Sequence, residues 1–388
     1  MKRILYLTFY FEPDLCAGSF RNTPLAKELA KKLEGEAIVD IITTSPNRYS
    51  TFDVTAPSYE GGKNYNIYRI NIPEHKSGMI DQIKSFYAYY AEAKKLTKGK
   101  QYNLVFASSS RLFTAYLGYA IAKKRNIPLY LDIRDIFVDT IKDVLKNSFL
   151  RRSILPILKK IEQKTFGYAS HINLISAGFK DYFKLYNKSS YTYFPNGIDG
   201  EFLNLPLSKP NSGIIKTVTY AGNIGEGQGL HIIIPEVALK LSGDYRFQII
   251  GDGGAKEKLK NKLEELKVDN VDLIDPVDRK TLLEFYLKAD FLFIHLNDYD
   301  AFKKVLPSKV FELGAFDKPI IAGVAGYAHN FIKENIENVI LFLPGDISSM
   351  VNQLQNYKYT NIIRSDFIKK FKRQNINSNL ADSIISYL

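Results

Sequence analysis

Pro307-Ser308-Lys309-Val310-Phe311-Glu312-Leu313-Gly314-Ala315-Phe316-Asp317-Lys318-Pro319-Ile320-Ile321 reads as a loop, a short helix and a buried strand. Val310, Phe311 and Leu313 supply the helix with a core face, and Lys309 and Glu312 stand one turn apart near its start. Pro319 ends the connection, and the strand that follows is continuously apolar rather than alternating. Such strands belong to parallel sheets covered by helices on both faces.

The same alternation extends in both directions. Toward the N-terminus, strands are predicted at 4–9, 37–43, 67–72, 104–107, 129–133 and 172–175, with helices at 23–33, 80–96, 112–124 and 178–185 between them. A turn-rich junction follows at Phe194-Pro195-Asn196-Gly197-Ile198-Asp199, then a polar stretch, Ser208-Lys209-Pro210-Asn211-Ser212-Gly213. A second series begins with a strand at 216–221 and a helix from Gly229. Strands at 247–250, 271–274, 291–295, 320–322 and 339–343 continue it, with helices from Ala255, Lys280 and Lys309. Residues 362–388 read as helical, with Ser378 as the N-cap. The expectation is an α/β chain of two doubly wound, Rossmann-like domains facing across a ligand cleft, divided at 1–200, 201–361 and 362–388.

At 388 residues the chain is too long for one core, and its 45% hydrophobic and 24% charged content is that of a globular protein. Cys16 is the single cysteine, which excludes an internal disulfide and a cysteine-based metal cluster within one chain, and a reducing cytoplasm fits. The apolar run after Lys2-Arg3 is short and enters Glu12-Pro13-Asp14, so a first strand explains it better than a signal peptide. No run of about 18 apolar residues is present to span a membrane. The net charge of +12 calls for an anionic partner: nucleic acid, an anionic membrane surface or phosphorylated substrates. No nucleic-acid recognition motif accompanies it.

The loops after the strands carry the chemistry. Ala17-Gly18-Ser19 precedes the first helix, where a glycine permits close approach and a helix N-terminus favours an anion. Asp132-Ile133-Arg134-Asp135 sets three charges at the end of a buried strand; either Arg134 pairs with a carboxylate to pin the loop, or the group serves a site. Tyr220-Ala221-Gly222-Asn223-Ile224-Gly225-Glu226-Gly227-Gln228-Gly229 follows a strand with four glycines, which suits a phosphate cradle. It is neither a P-loop nor a dinucleotide fingerprint. Gly251-Asp252-Gly253-Gly254 marks another tight turn, and Asp275-Pro276-Val277 offers backbone against which a base could lie. Lys309 suits a phosphate and Glu312 a pair of vicinal hydroxyls, together a pocket for a nucleotide diphosphate sugar; the plainer reading leaves both charges in solvent. Asp298-Tyr299-Asp300, after His295, reads more simply as an exposed loop than as a metal site.

Taken together, these segments resemble the retaining glycosyltransferases of family four, with the two-Rossmann GT-B fold, and most nearly the bacterial enzymes that transfer aminosugars into O-antigen and capsule. The resemblance implies that Glu312 holds the donor ribose, and that Lys309, Ser308 and the loop with Asn223, Gly225 and Gln228 hold the diphosphate. Gly251 and Val277 would line the donor site, Val277 by its backbone at the base, with Gly18 and Ser19 under the donor phosphate. Arg134 and Asp135 would lie near the transferred sugar or acceptor, and Arg134, Asp135 and Lys309 are the catalytic candidates. The last helix would cross back onto the first domain. Lys304 stands where the family's first glutamate would fall, and neutral Asn223 and Gln228 replace its usual Arg and Lys, which puts more weight on Lys309.

The implied reaction is transfer of a sugar, an N-acetylated hexosamine or deoxyhexosamine, from a UDP donor to a lipid-linked saccharide, with retention and without metal or cofactor. Basic, apolar helical patterns at 80–100 and 149–166 fit either ordinary core-facing helices or a first domain resting on anionic lipid, which makes the protein cytoplasmic and peripheral to the membrane. A nucleotide-sugar epimerase of the same architecture and a non-catalytic membrane-surface or partner-binding protein are the alternatives.

Overall fold

The computed structural model describes residues 1–14, 16–47, 55–73, 79–109, 111–144, 148–207, 213 and 215–388. The chain divides into two compact units, Met1–Asn196 with Arg373–Leu388, and Gly197–Lys372. The expected bounds were 1–200, 201–361 and 362–388.

The first unit holds strands β1 (Lys2–Leu7), β2 (Ala37–Thr44), β3 (Tyr59–Gly62), β4 (Tyr65–Ile70), β5 (Leu104–Ser109), β6 (Leu129–Ile133), β7 (His171–Leu174) and β8 (Ser190–Thr192). Its helices are α1 (Ala17–Lys32), α2 (Met79–Leu96), α3 (Leu112–Arg125), α4 (Phe137–Val144), α5 (Ser148–Phe166) and α6 (Lys180–Phe183). The sheet order is β3-β4-β2-β1-β5-β6-β7-β8, parallel except for the β3–β4 hairpin. Alternate residues choose the two faces. Ile4, Tyr6, Val39, Ile41, Leu104, Phe106 and Tyr130 pack with Leu25 and Leu29 of α1. On the other face α3 comes close at Gly118, where an added Cβ would lie 3.0 Å from Ala107 and 3.1 Å from Leu129.

The second unit holds β9 (Lys216–Ala221), α7 (Leu230–Lys240), β10 (Tyr245–Ile250), α8 (Lys256–Glu265), β11 (Val271–Ile274), α9 (Arg279–Lys288) and β12 (Phe291–His295). It continues through α10 (Lys309–Gly314), β13 (Ile320–Gly323), α11 (Gly326–Asn335), β14 (Val339–Phe342), α12 (Ile347–Gln355) and α13 (Ser365–Phe371). Its sheet is parallel, in the order β11-β10-β9-β12-β13-β14. Val218 lies opposite both Phe247 and Phe291, and this layer packs on Leu230, Ile234 and Val237 of α7 and Met350 and Leu354 of α12. Phe367 of α13 stacks on Phe311 of α10 and Phe371 meets the same ring edge-on, which binds residues 365–371 into this unit.

Helix α14 (Arg373–Ile385) returns to the first unit and lies along α1. Leu380, Ala381 and Ile384 join that core; Lys32 reaches Asp382 at 2.6 Å, and the Tyr130 hydroxyl meets that of Ser383 at 2.9 Å. The C-terminal segment is therefore two helices broken at Lys372, and Ser378 lies inside α14 rather than capping it. Helix α1 begins six residues before the expected start and runs through Pro24.

Candidate functional site

In the second unit the sheet order reverses between β9 and β12, and the loops leaving these two strands flank that switch point, where open α/β sheets bind ligands. The two loops are stitched together. Asn297 donates its backbone N–H to the Gly227 carbonyl at 2.8 Å and its side chain to the Glu226 carbonyl at 3.0 Å. His295 is buried; it accepts from the Gly345 amide on Nε2 at 3.1 Å, so Nδ1 donates to the Gln228 carbonyl at 2.6 Å. Burial pushes its pKa down to about 4, and it serves the loop as a neutral brace.

The loop after β9 is held from within. Asn223 donates to the Gln228 side-chain oxygen at 2.7 Å, and the Gly225 amide donates to the same atom at 3.2 Å. Gly222 and Ile224 donate to Ile250 and Asp252 at 3.0 and 2.8 Å. Part of the amide set expected to face a phosphate is thus engaged in the protein, and several glycines serve close packing. A Cβ on Gly251, whose φ is +144°, would fall 1.9 Å from the Gly222 carbonyl oxygen. Gly229, at φ +62°, is the N-cap of α7. Val277 is half-buried beyond β11, beside Asp275, which is exposed and paired with Lys256 at 2.7 Å.

Lys309 and Glu312 meet directly. The Lys309 ammonium donates to Glu312 at 2.7 Å and to the Tyr286 hydroxyl at 3.4 Å. Burial works to lower the Lys309 pKa, but Glu312 and Tyr286 more than offset it and hold the ammonium above its usual range. Helix α10 has only six residues, so its dipole adds little and the lysine charge must carry any phosphate contact. Ser308 precedes it as a half-buried N-cap without a side-chain cap bond. Arg279 donates to Asp199 at 3.0 Å, also pairs with Glu201, and lies within the electrostatic reach of Glu312. Sequence reasoning gave Arg279, Glu201 and Tyr286 no role, because nothing local in α9 signals contact with α10 or with the start of this unit. Lys304 is half-buried in a 3-10 turn, Phe302–Lys304. Asp298 and Asp300 both pair with Lys303, at 3.3 and 2.9 Å, and no metal-binding group of three His, Cys, Asp or Glu occurs among the described residues.

In the first unit the switch point lies between β1 and β5, and Gly18 and Ser19 form the first turn of α1 beside it. The carboxylate that pins the loop after β6 pairs with Arg21, not with Arg134. Arg21 donates to both oxygens of Asp132, at 2.8 and 2.7 Å, and to the Pro195 and Phe194 carbonyls, each at 3.0 Å. Asp132 also accepts from Ser108 at 2.9 Å and Asn173 at 2.8 Å. Burial opposes both charges, yet their mutual attraction prevails and holds Asp132 below, and Arg21 above, their ordinary values. Arg134 packs against Gly18, its Nη1 3.0 Å from where a glycine Cβ would stand. Asp135 accepts from Thr140 at 3.2 Å, and burial pushes its pKa up to about 6.

Two Rossmann-like domains of this topology make the GT-B fold, which the chain shares with structurally characterised glycosyltransferases. Residues 210–374, less than half of the chain, match the family profile described as Glycosyl transferases group 1. Among solved structures, a sucrose-phosphate synthase from Thermosynechococcus elongatus is similar over 100% of this chain and 95% of its own, with a TM-score of 0.70 and 14% identity. Anabaena HepE in complex with UDP matches over 100% of both chains at TM-score 0.64 and 15% identity. WaaG, a glycosyltransferase involved in lipopolysaccharide biosynthesis, covers 98% of this chain and 95% of its own at TM-score 0.65 and 14% identity. No curated protein matches the chain.

Proposed function

We propose that the protein is a glycosyltransferase whose second unit binds a nucleotide-diphosphate sugar, with UDP as the nucleotide. The observation that carries this reading is the pair of partly exposed Lys309 and buried Glu312, held in the unit that matches the family profile and whose β9 and β12 loops flank the switch point. Lys309 would turn to the diphosphate and Glu312 to the ribose hydroxyls. The two side chains now neutralise each other, so the donor supplies to each a replacement partner. At about 4 Å and an effective dielectric near 20, a lysine–phosphate pair contributes roughly 4 kcal/mol before desolvation. Gly18 and Ser19, Asn223, Gly225 and Gln228, Gly251, Val277 and Ser308 complete the proposed donor set, with Arg134 and Asp135 toward the transferred sugar or acceptor.

The reaction would break the bond from the anomeric carbon to the diphosphate and form one from that carbon to an acceptor oxygen on the same face, with retention. The acceptor proton would pass to the departing phosphate oxygen, whose charge Lys309 stabilises. We assign the acceptor to the lipid-linked saccharides of bacterial surface polysaccharide and the donor sugar to the N-acetylated hexosamines or deoxyhexosamines. Incubation with UDP-sugars should release UDP only when a lipid-linked acceptor is added. Conversion of the donor alone to an isomer would favour the epimerase instead.

The first unit supports a membrane-surface role. Ile83 and Tyr87 of α2 are 58% and 71% exposed, and Ile157 of α5 is 61% exposed. Lys84 flanks the first pair, and Lys159 and Lys160 flank Ile157, all exposed. Ile80 and residues 149–151 of the expected faces lie outside the described side chains. No helix among the described residues is long and apolar enough to cross a membrane.

A further inference from the structure

The Lys309–Glu312 pair stands in a wider charge cluster whose other half has no part in the proposed donor set. Arg279 is the first residue of α9, a position where the helix dipole disfavours a cation. Tertiary partners hold it there instead. Asp199, the N-cap residue of the 3-10 turn Gly200–Phe202, makes no side-chain cap bond and accepts from Arg279 at 3.0 Å. Glu201 of the same turn also pairs with Arg279. Phe202, buried in that turn, lies against the guanidinium at 5.3 Å from its ring centre.

The same aromatic wall reaches the lysine. Phe202 meets Phe316 at 6.1 Å, and Phe316 meets Tyr286, the second partner of Lys309, edge-on at 5.4 Å. Arg279 and Lys309 thus stand on one buried aromatic scaffold, with Glu312 in the field of both. Burial works to lower the Arg279 pKa, but Asp199, Glu312 and Glu201, in that order, hold the guanidinium above its ordinary range. The cluster sets three carboxylates, Asp199, Glu201 and Glu312, against two cations, Arg279 and Lys309.

That imbalance matters once the ammonium moves. Glu312 is 8% exposed and has the Lys309 ammonium at 2.7 Å. A buried carboxylate that loses its cation is strongly destabilised unless a second positive charge takes over. Arg279 is a cation already within its field, and Asp199 and Glu201 keep the guanidinium in place.

We propose that Arg279 is a positioning residue for donor binding: it compensates the Glu312 carboxylate and keeps it aimed at the ribose while Lys309 turns to the diphosphate. The proposal rests on the donor reading above and adds to it a residue that acts through Glu312 rather than on the donor.

The test is calorimetric binding of UDP and of 2′-deoxyuridine diphosphate to the full chain. The deoxy ligand keeps the diphosphate and lacks one of the two hydroxyls assigned to Glu312. The parent should prefer UDP by about 10-fold or more. Arg279→Gln should weaken UDP more than the deoxy ligand and erase most of that preference. A residue that only pins the turn at 199–202 would weaken both ligands equally. Arg279→Lys, which keeps the charge without the planar fork, should restore part of the preference. In a Glu312→Gln background, Arg279→Gln should bring no further loss of preference. If Arg279→Gln fails to fold, its combination with Glu201→Gln removes one charge of each sign and should show the same selective loss. A preference that survives in the Arg279 variants, or an equal loss for both ligands, would overturn the positioning role and leave the donor site standing. A parent that binds both ligands alike would take the ribose from Glu312 and overturn the proposal with it. A parent that binds neither would contradict the donor reading itself, and the proposal falls with that reading.

Discussion

Arg21 and Asp132 show why a charge at a strand end need not be a catalyst. Both are buried, and each is worth keeping only while the other is present. Arg21→Met should destabilise the protein by about 3–5 kcal/mol in urea unfolding, because Asp132 would be left buried and unpaired. Two other carboxyls pull the opposite way. Burial raises Asp135 from 3.8 to about 6 and Glu162, which accepts from Tyr182, from 4.5 to about 7. Both bind their protons more tightly when folded. Their contribution is complete below the unfolded values and is lost as pH rises through about 6 and about 7. Glu162→Gln should therefore flatten the loss of stability between about pH 5 and pH 8, by roughly 1–3 kcal/mol. A pH–stability curve identical to that of the parent would contradict this. At this scale the sequence displayed Lys309, Glu312 and Arg134 as chemically able residues. It hid the pairing of Arg21 with Asp132, which are 111 positions apart.

The elements that were legible are those with one physical signal. Short apolar or alternating runs placed β6, β9, β11 and β12 at their observed bounds. Mixed signals misled. The first six residues of α1, Ala17–Asn22, lay outside the expected helix, and the observed helix accommodates Pro24 in its interior. The polar β3–β4 hairpin was half missed because β3, Tyr-Glu-Gly-Gly, lacks any strand pattern. Helices α11 and α12 went unread. The β9 loop reads as a phosphate cradle from its glycines alone; what the sequence does not show is that Gly251, in the next loop, lets that loop approach the Gly222 carbonyl. Gly251→Ala should cost about 1–3 kcal/mol or more in thermal or urea unfolding, since its Cβ meets backbone that cannot rotate away. It should also weaken nucleotide binding by displacing the loop that Asn223 and Gln228 brace.

At the scale of the whole chain, the doubly wound α/β architecture was plain from alternation, while the return of α14 to the first unit came only from the family resemblance. Composition alone does not encode which helix faces find partners. The net charge of +12 gives a measurable expectation for the lipid reading: co-sedimentation with anionic vesicles at low salt, lost at high salt. Replacing Ile83 and Ile157 with Ser should weaken it, and failure of the parent to sediment would remove the membrane from the account. The central claim is the donor site, and thermal stabilisation by UDP, GDP, ADP and dTDP, with Lys309→Ala and Glu312→Ala beside the parent, tests it most directly. UDP at about 100 times its dissociation constant should add roughly 2.7 kcal/mol to the parent, and both variants should lose that gain. A parent that responds to none of the four nucleotides, or variants that respond as the parent does, would contradict it.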